Sequence, residues 1–217
     1  MSELKIGSVQ INNGFAGQYY LPYSIGTLQA YFLKFSKNPN RYKFINPIYK
    51  RLLLDECVDY LKDCEIVVFS TYVWNINISL AVSKKLKEID STKFIIFGGP
   101  SAPDVSEKFL RKYNFIDCIS HQEGERTITS ILDNFPDSSW QEVAGISYLD
   151  KQDVFKQNKC LPKMRDISKL PSPYLTGVFD NLIKKNPNEQ WLASWETNRG
   201  CPFSCTFCDW GSAISSK

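Results

Sequence analysis

The chain has 217 residues, room for one ordinary domain with a remainder or for two small ones. Hydrophobic residues make up 43% and charged residues 23%, a balance that excludes a disordered or fibrous chain. With 26 Lys and Arg against 23 Asp and Glu, the net charge of +3 makes no electrostatic case for nucleic acid or for an anionic membrane. No run of about 18 apolar residues is present to span a bilayer. Met1-Ser2-Glu3-Leu4-Lys5-Ile6 leads directly into an alternating pattern and lacks the apolar segment of a signal peptide. Seven cysteines, four of them scattered, suit a reducing compartment with thiol or metal chemistry, so the expected location is cytoplasmic.

Along the chain, short apolar runs alternate with helical patterns. Leu4 to Ile11 reads as a first strand, followed by Asn12-Asn13-Gly14 as a turn. Ile25, Leu28, Phe32 and Phe35 recur at steps of three and four and share a helix face. Phe44 to Tyr49 reads as a second strand, and its Pro47, which has no N–H to donate, places it at a sheet edge. Leu53, Cys57, Leu61 and Cys64 mark the next helix, and Ile66-Val67-Val68-Phe69 the next strand, apolar on both faces. A helical stripe follows at Ile78, Val82, Leu86 and Ile89, then a strand at Phe94-Ile95-Ile96-Phe97. Val105, Phe109 and Tyr113 mark a helix, Phe115 to Ile119 a fifth strand, and Ile128, Ile131, Leu132 and Phe135 a fifth helix. Five such units predict an α/β fold with a doubly wound parallel sheet. The proline in strand two favours the flavodoxin-like order 2-1-3-4-5.

After Trp140 the rhythm changes. Gly145 to Leu149 and Val154 to Phe155 read as a hairpin, and Pro162, Pro171, Pro173 and Pro187 give residues 160–190 the composition of a linker. Trp191 to Trp195 reads as a strand opening a second domain. The expected division is residues 1–140, a doubly wound, Rossmann-like sheet domain, 141–190, hairpin and proline-containing linker, and 191–217, the start of another domain.

The sharpest chemical feature is Arg199-Gly200-Cys201-Pro202-Phe203-Ser204-Cys205-Thr206-Phe207-Cys208. Cys201, Cys205 and Cys208, spaced C-x3-C-x2-C after a strand, can converge on one small metal centre, and soft thiolates select zinc, copper(I) or iron–sulfur clusters. A structural zinc site takes four protein ligands, and no fourth Cys or His is nearby. Three thiolates suit a cluster with one iron open, whereas a closed four-iron electron carrier takes four cysteines. A zinc site completed by a distant ligand stays open on spacing alone.

This motif resembles the signature of radical S-adenosylmethionine enzymes. The resemblance implies that Cys201, Cys205 and Cys208 hold a 4Fe-4S cluster, with Phe207 packed near the cluster and adenine. In that family the open iron binds S-adenosylmethionine, and reductive cleavage gives a radical that abstracts hydrogen from a substrate. The upstream sheet resembles the cobalamin-binding domain of the cobalamin-dependent members. Ligands of open α/β sheets lie beyond the carboxyl ends of the strands, and the loops there carry the matching residues. Ser70-Thr71-Tyr72 resembles the family's loop beside the nucleotide tail, and Gly98-Gly99-Pro100-Ser101 its paired glycines, across which a flat macrocycle can approach the backbone. Gln122-Glu123-Gly124-Glu125 resembles a Gly-Glu-Gly-Glu segment, with Gln122 in place of the first glycine. Each loop also has a plainer reading: a tight turn at Gly98-Gly99, helix caps at Ser70 and Thr71, and an acidic helix start at Glu123 and Glu125.

One departure matters. Many cobalamin domains carry Asp-x-His-x-x-Gly after the first strand, whereas this chain has Asn12-Asn13-Gly14-Phe15-Ala16-Gly17. Its one histidine, His121, follows strand five and reads as a local hydrogen-bonding residue. The resemblance therefore implies cobalamin held without histidine on cobalt. It further implies methyl transfer or related radical chemistry on a small-molecule or peptide substrate, a reductant such as flavodoxin or ferredoxin, and neither membrane nor nucleic acid as partner. Nine residues follow Cys208, against about 250 for a full (β/α) barrel. The expectation is thus the front part of a longer enzyme or a truncated product, holding only the first strand and cluster loop of the barrel. The alternatives are a cobalamin-binding module inactive on its own and a fragment of a non-cobalamin radical enzyme, such as one that modifies transfer RNA.

Overall fold

The computed structural model describes residues 3–14, 16–136, 140–164, 166–200, 203 and 205–207. Its elements in chain order are β1 (Leu4–Val9), β2 (Gln18–Tyr20), α1 (Tyr23–Phe35), β3 (Tyr42–Phe44), α2 (Leu54–Leu61), β4 (Ile66–Ser70), α3 (Ile76–Ile89), β5 (Phe94–Gly98), α4 (Glu107–Lys112), β6 (Cys118–Ser120), α5 (Gly124–Asn134), β7 (Ile146–Leu149), β8 (Phe155–Gln157), α6 (Asp180–Lys185) and β9 (Gln190–Leu192).

The main sheet runs β3-β1-β4-β5-β6-β7-β8. Its first five strands are parallel, and β7 and β8 add antiparallel to β6. Leaving aside β2, which lies in another sheet, the parallel part has the expected flavodoxin-like order with the proline-bearing strand at the edge. That strand differs in detail. Regular pairing covers Tyr42–Phe44, and beyond Pro47 the chain rejoins β1 through Ile48 N to Ser8 O and Gln10 N to Ile48 O, both 2.9 Å. The imino nitrogen of Pro47 interrupts the ladder at a place where an edge strand can tolerate it.

Alternation along the buried strands builds two cores. In β4, Ile66 and Val68 face the layer formed with α1 and α5, alongside Ile25, Phe32, Ile128 and Ile131. Val67 and Phe69 face the opposite layer with Leu61, Val82, Leu86 and Leu110 of α2, α3 and α4. All five residues of β4 are buried, as the run of apolar residues implies for a strand covered on both faces. The ends of the predicted helical stripes lie outside: Phe35, Leu53, Ile89 and Val105 are exposed.

A second, two-stranded parallel sheet was not foreseen. β9 lies on β2, with Tyr19 opposite Trp191. A third core of Leu21, Tyr49, Phe179 and Leu182 sits beneath it. Gly26 of α1 makes this possible, because a Cβ there would lie 2.2 Å from the ring of Phe179. Among the described residues, no helix is long and apolar enough to cross a membrane.

Candidate functional site at the carboxyl edge of the sheet

The loops after β1, β4, β5 and β6 all lie at the carboxyl edge of the sheet. After β4, Thr71 donates both its backbone N–H (2.7 Å) and its hydroxyl (2.8 Å) to the carbonyl of Gly98 at the end of β5. Ser101 N–H returns a bond to Thr71 O at 3.1 Å. Thr71 is therefore a splice between two loops and not a helix cap; α3 begins after Asn75. Asn75 is fully buried and holds the same region together. Its Oδ1 accepts from Tyr72 N–H at 2.8 Å, and its Nδ2 donates to Ile11 O and Ser70 O, each at 3.1 Å. The Trp74 indole N–H also reaches Ile11 O at 2.9 Å, and its ring stacks on Tyr72 with centroids 4.7 Å apart. The Tyr72 and Ser24 hydroxyls lie 3.0 Å apart, tying the loop to α1.

The two glycines after β5 serve different ends. Gly99 has φ of 94°, and a Cβ there would come 2.8 Å from Thr71 O and 2.9 Å from Thr71 N, so the turn itself demands glycine. Gly98 is half-buried, and a Cβ there would meet only Ser120, at 3.4 Å from its carbonyl oxygen. Gly99 and Pro100 are exposed. Beneath them, Ser120 at the end of β6 is 5% exposed, and its Oγ has no hydrogen-bond partner among the described residues. On the β1 side, a hollow of about 370 Å³ opens between Asn12, Gly14, Ala16 and Tyr19 and the basic pair Lys50 and Arg51.

After β6, Gln122 adopts φ of 56°, the left-handed region in which glycine has no steric cost. This explains physically the glycine at the first position of the motif that this segment resembles. Gln122→Gly should raise stability by about 0.5–1 kcal/mol, the relief of the left-handed strain less the added backbone entropy of the unfolded chain. Chemical denaturation of the two proteins checks it.

His121 points away from the edge. Its Nε2 lies 2.7 Å from Ser147 Oγ on β7, and its N–H donates to Gly145 O. Burial lowers its pKa, with Asp104 opposing weakly. A depressed imidazole is neutral in the fold and protonates first in the unfolded chain. Stability from this group is therefore complete above about pH 6.5 and is lost as pH falls toward the folded-state value. Denaturation curves at pH 7.5 and 5.5 should show that loss, and His121→Gln should remove the part due to this group.

Sequence reasoning named Glu123 and Glu125 but missed what they hold. Glu125, 4% exposed, sits in the first turn of α5 and faces Arg199, with Nη2 to Oε1 at 2.5 Å and Nη1 to Oε2 at 3.3 Å. Arg199 also meets Glu196 at 3.0 Å and Glu123 at 3.5 Å. Glu123 in turn accepts from Met164 N–H at 2.8 Å and pairs with Arg126 at 3.4 Å. Burial works against the Arg199 charge, but the carboxylates of Glu125 and Glu196 outweigh it, and its pKa is raised. The usable signal was a lone charge immediately before Gly200 and the cysteine loop, facing acids with no assigned partner.

The cysteine loop itself is described only in part. Cys205 is a free, exposed thiol, and Phe203 and Phe207 are 69% and 91% exposed. Cys201 and Cys208 lie outside the described residues. The segment leading to the loop is docked on the sheet domain twice, by β9 on β2 and by Arg199 on Glu125. Tyr49 and Lys50 add contacts to Glu189, the lysine at 2.6 Å. Of the other four cysteines, Cys57, Cys64 and Cys118 are buried and fit a packing role, burial raising all three thiol pKa values, Cys64 to about 11, while Cys160 is half-buried.

No family model matches the chain. In sequence it is 34% identical over 205 residues to the cobalamin-dependent radical SAM methyltransferase TokK of Streptomyces tokunonensis, covering 91% of this chain and 29% of TokK. It is 32% identical over 203 residues to the 2-(S-pantetheinyl)-carbapenam-3-carboxylate methyltransferase of Streptantibioticus cattleyicolor, with the same coverage. In fold it matches the cobalamin-dependent S-adenosylmethionine radical enzyme OxsB with a TM-score of 0.68 at 22% identity, over 95% of this chain and 28% of OxsB. The methyltransferase TsrM of Kitasatospora setae, solved with cobalamin and a 4Fe-4S cluster, gives a TM-score of 0.56 at 10% identity over 78% of this chain and 31% of TsrM. The chain spans under a third of the length of these proteins. The chain is thus a homologue of the N-terminal part of cobalamin-dependent radical S-adenosylmethionine methyltransferases.

Proposed function

We propose that the chain carries cobalamin across the carboxyl edge of its sheet and, through Cys201, Cys205 and Cys208, a 4Fe-4S cluster that binds S-adenosylmethionine. The observation that carries this reading is the convergence of three cross-bonded loops at one edge, with the segment that leads to the cysteines docked beside them. The edge fits a corrinoid in three respects. Gly98 and Gly99 present no side chain there, the Ser120 hydroxyl has no partner among the described residues, and Val73 and Trp74 are exposed apolar surface on the loop after β4. A corrinoid offers amide side chains to such a hydroxyl and a flat ring to such a surface.

In this reading the Ser70-Thr71-Tyr72 loop flanks one side of the cofactor, with the buried Thr71 holding the loop in place, Gly98, Gly99, Pro100 and Ser101 lie beneath it, and Glu123 and Gly124 close the β6 side. Phe207 covers the adenine of S-adenosylmethionine. The donor set of three soft thiolates suits iron–sulfur chemistry. Bound together, the cofactors would supply radical formation and a transferable methyl group. The chain's own part is to hold both, in a reducing cytoplasm, for a small-molecule or peptide substrate and a flavodoxin- or ferredoxin-type reductant. With His121 committed to Ser147, no histidine is offered to cobalt among the described residues.

Equilibrium dialysis against hydroxocobalamin tests the reading. One cobalamin retained per chain, with a cobalt(II) spin-resonance spectrum free of nitrogen coupling, is the expected result. No retention removes the cobalamin assignment, and nitrogen coupling overturns the ligand assignment.

A further inference from the structure

We propose that Arg199 is a positioning residue that locks the segment entering the cysteine loop onto the β6–α5 connection, and so fixes where the cluster site lies relative to the carboxyl edge. The identity of the two sites rests on the function proposed above; the lock is built from this chain's own side chains. One guanidinium with five donors in a plane meets three carboxylates, from Glu123 and Glu125 on one side and Glu196 on its own segment. The side chains of Arg199 and Glu125 are 14% and 5% exposed, which separates this pair from the solvated surface bridges that contribute little. Without Arg199, the Glu125 carboxylate would be left buried and uncompensated, which is strongly unfavourable. The backbone adds direction. Gly200 has φ of 92°, and Asn198 Nδ2 donates to its carbonyl at 3.0 Å, so the chain turns immediately after the locked residue.

The lock also gives the acidic pair after β6 a purpose beyond favouring a helix start. Glu125 gains from the α5 dipole and from Arg199 together, and Glu123 bridges Arg199, Arg126 and the Met164 N–H. Beyond the β2–β9 pairing, the last anchor before the cysteine loop is thus a cationic fork that lysine, a point charge, does not reproduce.

The test uses Arg199→Met, Arg199→Lys and Glu125→Gln in the whole protein. Amide exchange over residues 122–126 and 196–200 should rise about 100-fold in Arg199→Met, with β4 and β5 unchanged. Arg199→Lys should fall between, and Glu125→Gln should expose the same two segments. Should Arg199→Met fail to fold, the other two variants carry the comparison. With both cofactors loaded, spin–spin coupling between reduced cluster and cobalt(II) should be sharp in the wild type and broadened in the variants. Unchanged exchange in both segments, or coupling identical to wild type, overturns the lock. A wild-type chain that retains no cobalamin overturns the function proposed above and leaves the exchange result to judge the lock.

Discussion

Gly99→Val should lower stability by about 3 kcal/mol or more and abolish cobalamin retention. Two separate terms add. A β-branched residue at φ of 94° is strained by roughly 1–3 kcal/mol, and its Cβ would sit within 3 Å of two backbone atoms of Thr71. Those atoms cannot step aside cheaply, because Thr71 N–H and hydroxyl are both bound to Gly98 O. Relief of such overpacking costs typically about 1–3 kcal/mol more. Gly98→Ala makes the informative partner. Its Cβ would meet Ser120 at ordinary contact distance, so the fold should survive while a methyl group is added at the edge proposed for the cofactor. Thermal unfolding and dialysis on the two variants separate a strained turn from a blocked site.

Asn75→Ala should cost about 2–4 kcal/mol, because it leaves Tyr72 N–H and Ser70 O buried without partners. Ile11 O is spared, since Trp74 also donates to it. The loss should also loosen the loop after β4, so cobalamin affinity should fall together with stability. A loss below 1 kcal/mol by denaturation would show that this side chain does not join β1 to β4.

Much of the fold was legible because its signals are local. Ile66 to Phe69 and Phe94 to Phe97 are short apolar runs with only one placement in a doubly wound sheet, and Pro47 marked the edge. The Asp150-to-Asp153 turn foretold the hairpin, but nothing local showed that β7 would pair with β6 and extend the same sheet. The β2–β9 pair was invisible for a stronger reason. The strand read at Trp191 to Trp195 overlaps β9, but Gln18 to Tyr20 was not read as a strand, and what joins the two is a cluster of aromatic rings around Tyr49 and Trp191. Stripe residues at helix ends, such as Phe35 and Ile89, were overread because the apolar face leaves the core there.

The site divided along the same line. Candidate loop residues could be named from order and spacing, although glycine and serine at strand ends also serve as turns and caps. Their partners could not. Thr71 bonding Gly98, Asn75 bonding Ile11, and Arg199 bonding Glu125 join positions 27, 64 and 74 residues apart. Such separations are set by the sheet order and not by any window of sequence. Gln122 shows the reverse case, in which a substitution that looked like a departure became intelligible only from its backbone angle.

Amide hydrogen exchange of the chain with and without hydroxocobalamin locates the cofactor directly. Protection confined to residues 70–75, 98–102 and 120–125, with residues 146–157 unaffected, is the expected footprint. Protection elsewhere, or none at saturating cofactor, would contradict a corrinoid lying across the carboxyl edge of this sheet.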